Sequence, residues 1–124
     1  MDNNEIKIVF TDLDGTLLDH STYSYSEAEN ALMSLRQKGI HLVLCSSKSR
    51  DEIKIYRDKL TNNEPFISEN GGAIYIPEKY GLKCEFDKTD SGFLVIEIGS
   101  EYKILKIAFE KIKRETGINV KSIA

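Results

Sequence analysis

The 124-residue sequence has only two cysteines, no excess of positive charge and no long apolar run. Cys45 and Cys84 form no metal-binding or redox motif, and a reducing cytoplasm is the expected setting. Cys45 sits in an apolar stretch and reads as a small core residue. Seventeen basic side chains against twenty acidic ones leave a net charge of −3. A nucleic-acid partner is therefore not expected, since such proteins usually present a basic face. No stretch approaches the roughly 20 apolar residues of a membrane span. The polar opening Met1-Asp2-Asn3-Asn4-Glu5 does not read as a signal peptide. There is no internal repeat and no low-complexity tract, and 40% hydrophobic residues suffice for one modest core.

What is present is concentrated in Phe10-Thr11-Asp12-Leu13-Asp14-Gly15-Thr16-Leu17-Leu18-Asp19. It follows Ile6-Lys7-Ile8-Val9-Phe10, an apolar run that reads as a buried strand. Ligands of open α/β sheets bind beyond the carboxyl ends of strands. On an extended backbone Asp12 and Asp14 point the same way, roughly 6–7 Å apart. Gly15 lets the chain turn sharply beside backbone N–H groups, which makes it a candidate phosphate-binding residue. Two convergent carboxylates suit a hard cation such as Mg²⁺, which would neutralise a phosphate. An EF-hand is excluded, because its twelfth position requires Glu and Tyr23 stands there. An isolated D-x-D is usually a solvated turn; the preceding apolar strand and the following G-T-L-L make this one specific.

Ser26-Glu27-Ala28-Glu29 predicts a capping box opening a helix with Ala28, Ala31, Leu32 and Leu35 on its apolar stripe and Gly39 at its end. Ile40–Cys45 reads as a second strand, so strand, helix and strand form a right-handed βαβ unit with parallel strands. The long Asp19–Tyr25 connection reads either as a lid carrying Tyr23 and Tyr25 or as a surface loop with packed tyrosines. Ser46, Ser47 and Lys48 end the second strand, and Ser49-Arg50-Asp51-Glu52 predicts another capping box. Hydroxyls, a lysine and a helix N-terminus together suit an anion; the plain alternative is a capped turn. The helix that follows places Ile53, Tyr56 and Leu60 inward. Phe66-Ile67-Ser68 reads as a third strand, delivering Glu69, Asn70 and Gly71 to the same edge, where Asn70 could bond a substrate hydroxyl. Asn70-Gly71 is equally a hairpin signal. Ala73–Pro77 then runs back.

Beyond Tyr80 the expected elements are strands over Leu82–Phe86 and Phe93–Ile98, a helix from a Ser100 cap to about Thr116, and a strand at Ile118-Asn119-Val120. Asp87–Gly92 reads as a polar loop, and the lysines of the helix as a solvated face. The fold class is α/β. Residues 1–80 are expected to form the first part of a parallel, Rossmann-like core, and residues 81–124 the beginning of an α+β module.

The D-x-D-G-T-L-L stretch resembles the first motif of the haloacid dehalogenase-like phosphohydrolases. That resemblance implies that Asp12 is a nucleophile forming an aspartyl-phosphate and that Asp14 is the general acid/base. It further implies Mg²⁺ held by the Asp12 carboxylate and the Asp14 backbone carbonyl, with Ser46 on the transferring phosphoryl group. The order of elements is similar to the large-cap subgroup. Cys45–Ile53 and Phe66–Pro77 resemble the mannosyl-3-phosphoglycerate phosphatase branch, which implies a phosphorylated sugar or sugar-acid substrate bound partly by Glu69, Asn70 and Gly71. Non-catalytic phosphosugar binding by an oligomerising remnant and a phosphomutase activity are the competing readings.

The sequence departs from the family after Gly72. The third-motif lysine and the fourth-motif acidic pair have no counterpart, and Asp87 and Asp90 are poor substitutes. Losing one such electrostatic group typically costs about 10²–10³ in rate. The first strand, central in the family, is expected to become an apolar edge through which copies could associate.

Overall fold

The computed structural model describes residues 5–121; Met1–Asn4, read above as a polar lead-in, lie outside them. The apolar segments form one six-stranded sheet in the order β1-β2-β3-β4-β6-β5. β1 (Ile8–Thr11), β2 (His41–Cys45) and β3 (Phe66–Ser68) run parallel, with Val9 opposite Leu42 and Leu44 opposite Phe66. β4 (Ala73–Pro77), β5 (Lys88–Asp90) and β6 (Phe93–Glu97) continue the sheet in antiparallel pairing. The sheet therefore runs without a break across residue 80. The helices are α1 (Glu29–Gln37), α2 (Arg50–Leu60) and α3 (Tyr102–Thr116).

The core explains why the first three strands hold together. Leu13, Leu18, Leu42, Leu44, Ile53, Leu60, Phe66 and Phe93 form one buried cluster, against which Leu32 and Leu35 of α1 pack. Phe66 is fully buried, stacks on Tyr75 at 4.8 Å and meets Phe93 edge-on at 5.4 Å. Such aromatic pairs add about 0.5–1.5 kcal/mol beyond area burial. Arg57 is buried as well, its guanidinium 5.1 Å from the ring centres of both Phe66 and Phe93. Desolvation lowers its pKa, opposed by the charges of Asp58 and Glu64.

Several expectations are corrected. β1 starts at Ile8 rather than Ile6 and is not buried: Ile8 is 51% and Phe10 63% exposed, because the strand lies at the sheet edge. The Ser26 capping box does not form. Ser26–Ala28 makes a 3₁₀ turn, the Ser26 hydroxyl is bonded by that of Ser24 at 3.1 Å, and α1 starts at Glu29 without a side-chain cap. Leu82–Phe86 is not a strand; the pairing falls instead on Lys88–Asp90, read as loop. Ser91 and Gly92 carry positive φ of 49° and 86°, the backbone of a two-residue hairpin turn, and this fixes the register. Glu101 rather than Ser100 precedes α3, and no side chain caps it. Ile118-Asn119-Val120 pairs with no strand among the described residues.

Candidate phosphate-binding and catalytic site

The parallel strands bring the three sequence motifs to one edge of the sheet. β1 ends at Thr11, just before Asp12; β2 at Cys45, just before Ser46; and β3 at Ser68, just before Glu69. Adjacent strands lie about 4.8 Å apart, so these loops are immediate neighbours.

The first loop is a tight turn. Leu18 N–H donates to the Leu13 carbonyl at 2.8 Å and Gly15 N–H to the Leu18 carbonyl at 3.0 Å. Gly15 has φ of +71°, a region that costs other residues strain. Its N–H is thus engaged within the turn. Leu13 and Leu18 are fully buried and anchor the turn to the core. Leu13 N–H donates to Asp12 Oδ1 at 2.7 Å, which orients that carboxylate. Asp14 Oδ2 lies 3.2 Å from Lys48 Nζ, while its Oδ1 is buried with no hydrogen-bond partner among the described residues.

The second loop is built by the Ser49 capping box, which forms as predicted. Ser49 Oγ accepts from the Glu52 N–H, and the Glu52 carboxylate accepts from the Ser49 backbone. Ser46 is buried, and its Oγ accepts from the Lys48 N–H at 3.2 Å, which leaves the hydroxyl proton available to a ligand. Ser47 is exposed beside it. Lys48 is the centre of the arrangement. Its side chain is only 14% exposed and reaches Asp14 at 3.2 Å and Glu52 at 3.8 Å. Its ammonium lies 5.7 Å from the Tyr23 ring and 5.5 Å from the Tyr56 ring. Burial alone would lower its pKa; the hydrogen bond and charge of Asp14, with Tyr56 and Glu52, raise it above the ordinary lysine value. Lys48 is a fixed positive charge at the site at neutral pH.

The third loop is tied to the second. Glu69 N–H donates to the Lys48 carbonyl and Asn70 N–H to the Ser46 carbonyl, both at 3.0 Å. Glu69 and Asn70 both adopt positive φ, 52° and 56°, a conformation Asn tolerates and Glu rarely takes. Gly71 follows at +95°. Asp14, Ser46, Lys48, Glu69 and Asn70 thus belong to one bonded constellation, with Asp12 on the same loop as Asp14 and bonded to its own neighbour Leu13.

Sequence reasoning missed Tyr23, Glu52 and Tyr56 as the surroundings of Lys48. The Lys48–Glu52 spacing of four was a visible helical-pair signal. Tyr23 arrives through the Asp19–Ser24 connection, where the Asp19 carboxylate accepts from Ser21 N–H and Thr22 N–H at 2.9 Å and from the Thr22 hydroxyl. Those bonds, the Thr22 N–H first, lower the Asp19 pKa.

Among the described residues, no group of three His, Cys, Asp or Glu side chains is placed to hold a metal. The Asp12 carboxylate and the Asp14 backbone carbonyl are oxygen donors of the kind Mg²⁺ takes, and an ion that keeps most of its waters needs few protein ligands. No helix of the described residues is long and apolar enough to cross a membrane.

The haloacid dehalogenase-like hydrolase family matches residues 9–122. A glucosyl-3-phosphoglycerate/mannosyl-3-phosphoglycerate phosphatase of Methanococcoides burtonii is 45% identical over 114 residues, covering 91% of this chain and 42% of the relative. A mannosyl-3-phosphoglycerate phosphatase of Pyrococcus furiosus is 38% identical, with coverage of 91% and 46%. The chain thus spans less than half the length of these relatives. Among solved structures, a haloacid dehalogenase-like hydrolase from B. subtilis superposes with a TM-score of 0.63 at 27% identity, covering 90% of this chain and 34% of that one. A Thermoplasma acidophilum protein gives 0.66 at 23% identity, with coverage of 96% and 45%, a likeness of fold. With the motif loops at one sheet edge and the match running from β1 past α3, the chain belongs to the haloacid dehalogenase-like hydrolase family.

Proposed function

We propose that this chain supplies the phosphoryl-accepting and phosphate-binding groups of a Mg²⁺-dependent phosphatase. Its substrate would be a phosphorylated sugar or sugar acid, with mannosyl-3-phosphoglycerate the first candidate. The observation that carries the reading is the contact of Lys48 with Asp14 across two motif loops. In this reading Lys48 is the cation that faces the loop carrying both the nucleophile and the general acid/base.

In this reading Asp12, oriented by the Leu13 N–H, attacks phosphorus through its other oxygen, and the bond to the substrate oxygen breaks. Asp14 delivers a proton to that departing oxygen. It then takes a proton from the water that cleaves the aspartyl-phosphate. Ser46 donates its hydroxyl to a phosphoryl oxygen, and Lys48 offsets phosphate charge. The Asp12 carboxylate and the Asp14 backbone carbonyl would hold Mg²⁺, which when bound would neutralise part of the phosphate charge. The sugar-phosphate substrate class rests on the relatives' names together with the Ser46–Lys48 and Glu69–Gly72 loops.

The test is phosphate release from mannosyl-3-phosphoglycerate, with Mg²⁺ and with EDTA, by the wild type and by Asp12→Asn. Mg²⁺-dependent release that falls by about 10³ or more in the variant is expected. Unchanged release by Asp12→Asn would sink the mechanism. The lack of a three-ligand metal cluster among the described residues favours a second reading, phosphosugar binding without turnover. A saturable binding isotherm with no phosphate release would select it.

A further inference from the structure

A second cavity opens at the same sheet edge, one step beyond the phosphate loops. The edge runs in order from Asp12 after β1, through Ser46 after β2 and the Glu69–Gly72 turn joining β3 to β4, to the end of β6 at Glu97. Between that turn and the start of α3 lies a cleft of about 330 Å³, lined by Glu69, Lys88, Glu97, Ser100, Glu101 and Lys103 among others. Its size is in the ordinary range for small-molecule sites.

The walls are held together by a close backbone approach. The Gly72 carbonyl accepts from both Ile98 N–H and Gly99 N–H at 2.9 Å. A Cβ on Gly99 would lie 3.4 Å from Gly72 Cα, and one on Gly72 would meet Glu69 Cβ at 3.3 Å. Two glycines therefore let the third motif loop and the β6–α3 turn close on each other.

The lining carries three carboxylates and two ammonium groups. A second phosphate would find no excess of positive charge there. Lys88 Nζ and Glu97 Oε1 pair at 2.6 Å, so donors and acceptors stand side by side on one wall. Glu69 and Ser100 add an exposed carboxylate and an exposed hydroxyl. Paired donors and acceptors with little net charge match the hydroxyls of a neutral polyol. At about 4.8 Å per strand, β4 lies roughly 10 Å from β2. A glycosyl group carried on the same glycerate as a phosphate bound at Ser46 would reach across that interval.

We propose that this cleft is the sugar subsite, with Glu97 and Lys88 as its specificity-determining pair; the assignment rests on the phosphosugar reading above. The test is calorimetric titration of the 124-residue chain with mannosylglycerate, the phosphate-free product, and separately with inorganic phosphate. Mannosylglycerate binding is expected to weaken about tenfold or more in Glu97→Gln and in Ser100→Ala, with phosphate affinity unchanged. Ser100→Ala, at an exposed loop position, serves where Glu97→Gln disturbs folding. Phosphate binding without mannosylglycerate binding, or mannosylglycerate binding indifferent to both substitutions, overturns the subsite and leaves the phosphatase reading standing. Mannosylglycerate binding without phosphate binding would instead overturn the phosphatase reading.

Discussion

β1 and β2 are neighbouring parallel strands of similar apolar composition, and each ends in a loop of the candidate site. Their burial differs sharply. Leu42, Val43 and Leu44 of β2 are buried, Leu44 completely, whereas Ile8, Val9 and Phe10 of β1 are all exposed. Composition makes both segments strands; position in the sheet decides which one is covered. Among the described residues, β2 has a strand on each side and β1 has β2 on one side only. An apolar parallel edge of this kind is a surface that other chains can pair with.

The two strands should differ most in stability. Leu44→Ala is expected to cost about 2–5 kcal/mol, the range for a fully buried leucine. Phe10→Thr, at a 63% exposed position, is expected to stay within about 0.5 kcal/mol. Chemical denaturation of both variants checks this, and equal losses would mean that β1 is covered in solution. Next in size is Lys48→Met. Removing the cation that faces Asp14 is expected to weaken inorganic phosphate binding about tenfold or more, read by calorimetry. An unchanged affinity would detach Lys48 from the phosphate site. Ser49→Ala removes the cap that starts α2 below that site and is expected to cost about 1 kcal/mol in thermal or chemical unfolding.

A pH-dependent effect lies at the opposite end of β2. His41 Nδ1 lies 2.9 Å from Glu64 Oε1, and the Tyr80 hydroxyl bonds the other oxygen of Glu64. Burial, with the hydrogen bond and charge of Glu64, pushes the Tyr80 pKa up to about 12. A raised pKa means that the fold favours the neutral phenol. That contribution is complete below about 10, the unfolded value, and is lost as pH rises from there through about 12. Ultraviolet titration should show one late-ionising tyrosine that disappears in Tyr80→Phe. Ionisation at the ordinary value would mean that the contact does not persist.

Much of the site was legible because its signals are local. The D-x-D-G turn, the Ser49 capping box and the Glu69–Gly72 loop each depend on residues within a few positions of one another. The Lys48–Asp14 contact joins two loops through the tertiary fold, and no sequence spacing announces it. Ser26-x-x-Glu29 carried the right letters, but Ser24 took the hydroxyl that the cap required. β5 was lost because Lys88-Thr89-Asp90 is polar, although Ser91-Gly92 was a readable turn. The exposure of β1 depends on what lies beside it in the sheet, which its own residues do not encode.

The central claim is that the ends of β1 and β2 bind one phosphate between them. Its most direct test is a titration of the chain with inorganic phosphate in the presence of Mg²⁺, followed by amide resonances in nuclear magnetic resonance spectra. Residues of the Asp12–Gly15 turn and of Ser46–Lys48 are expected to shift together with one affinity. Shifts confined to the lysine-rich α3, or no saturable shift at all, would contradict it.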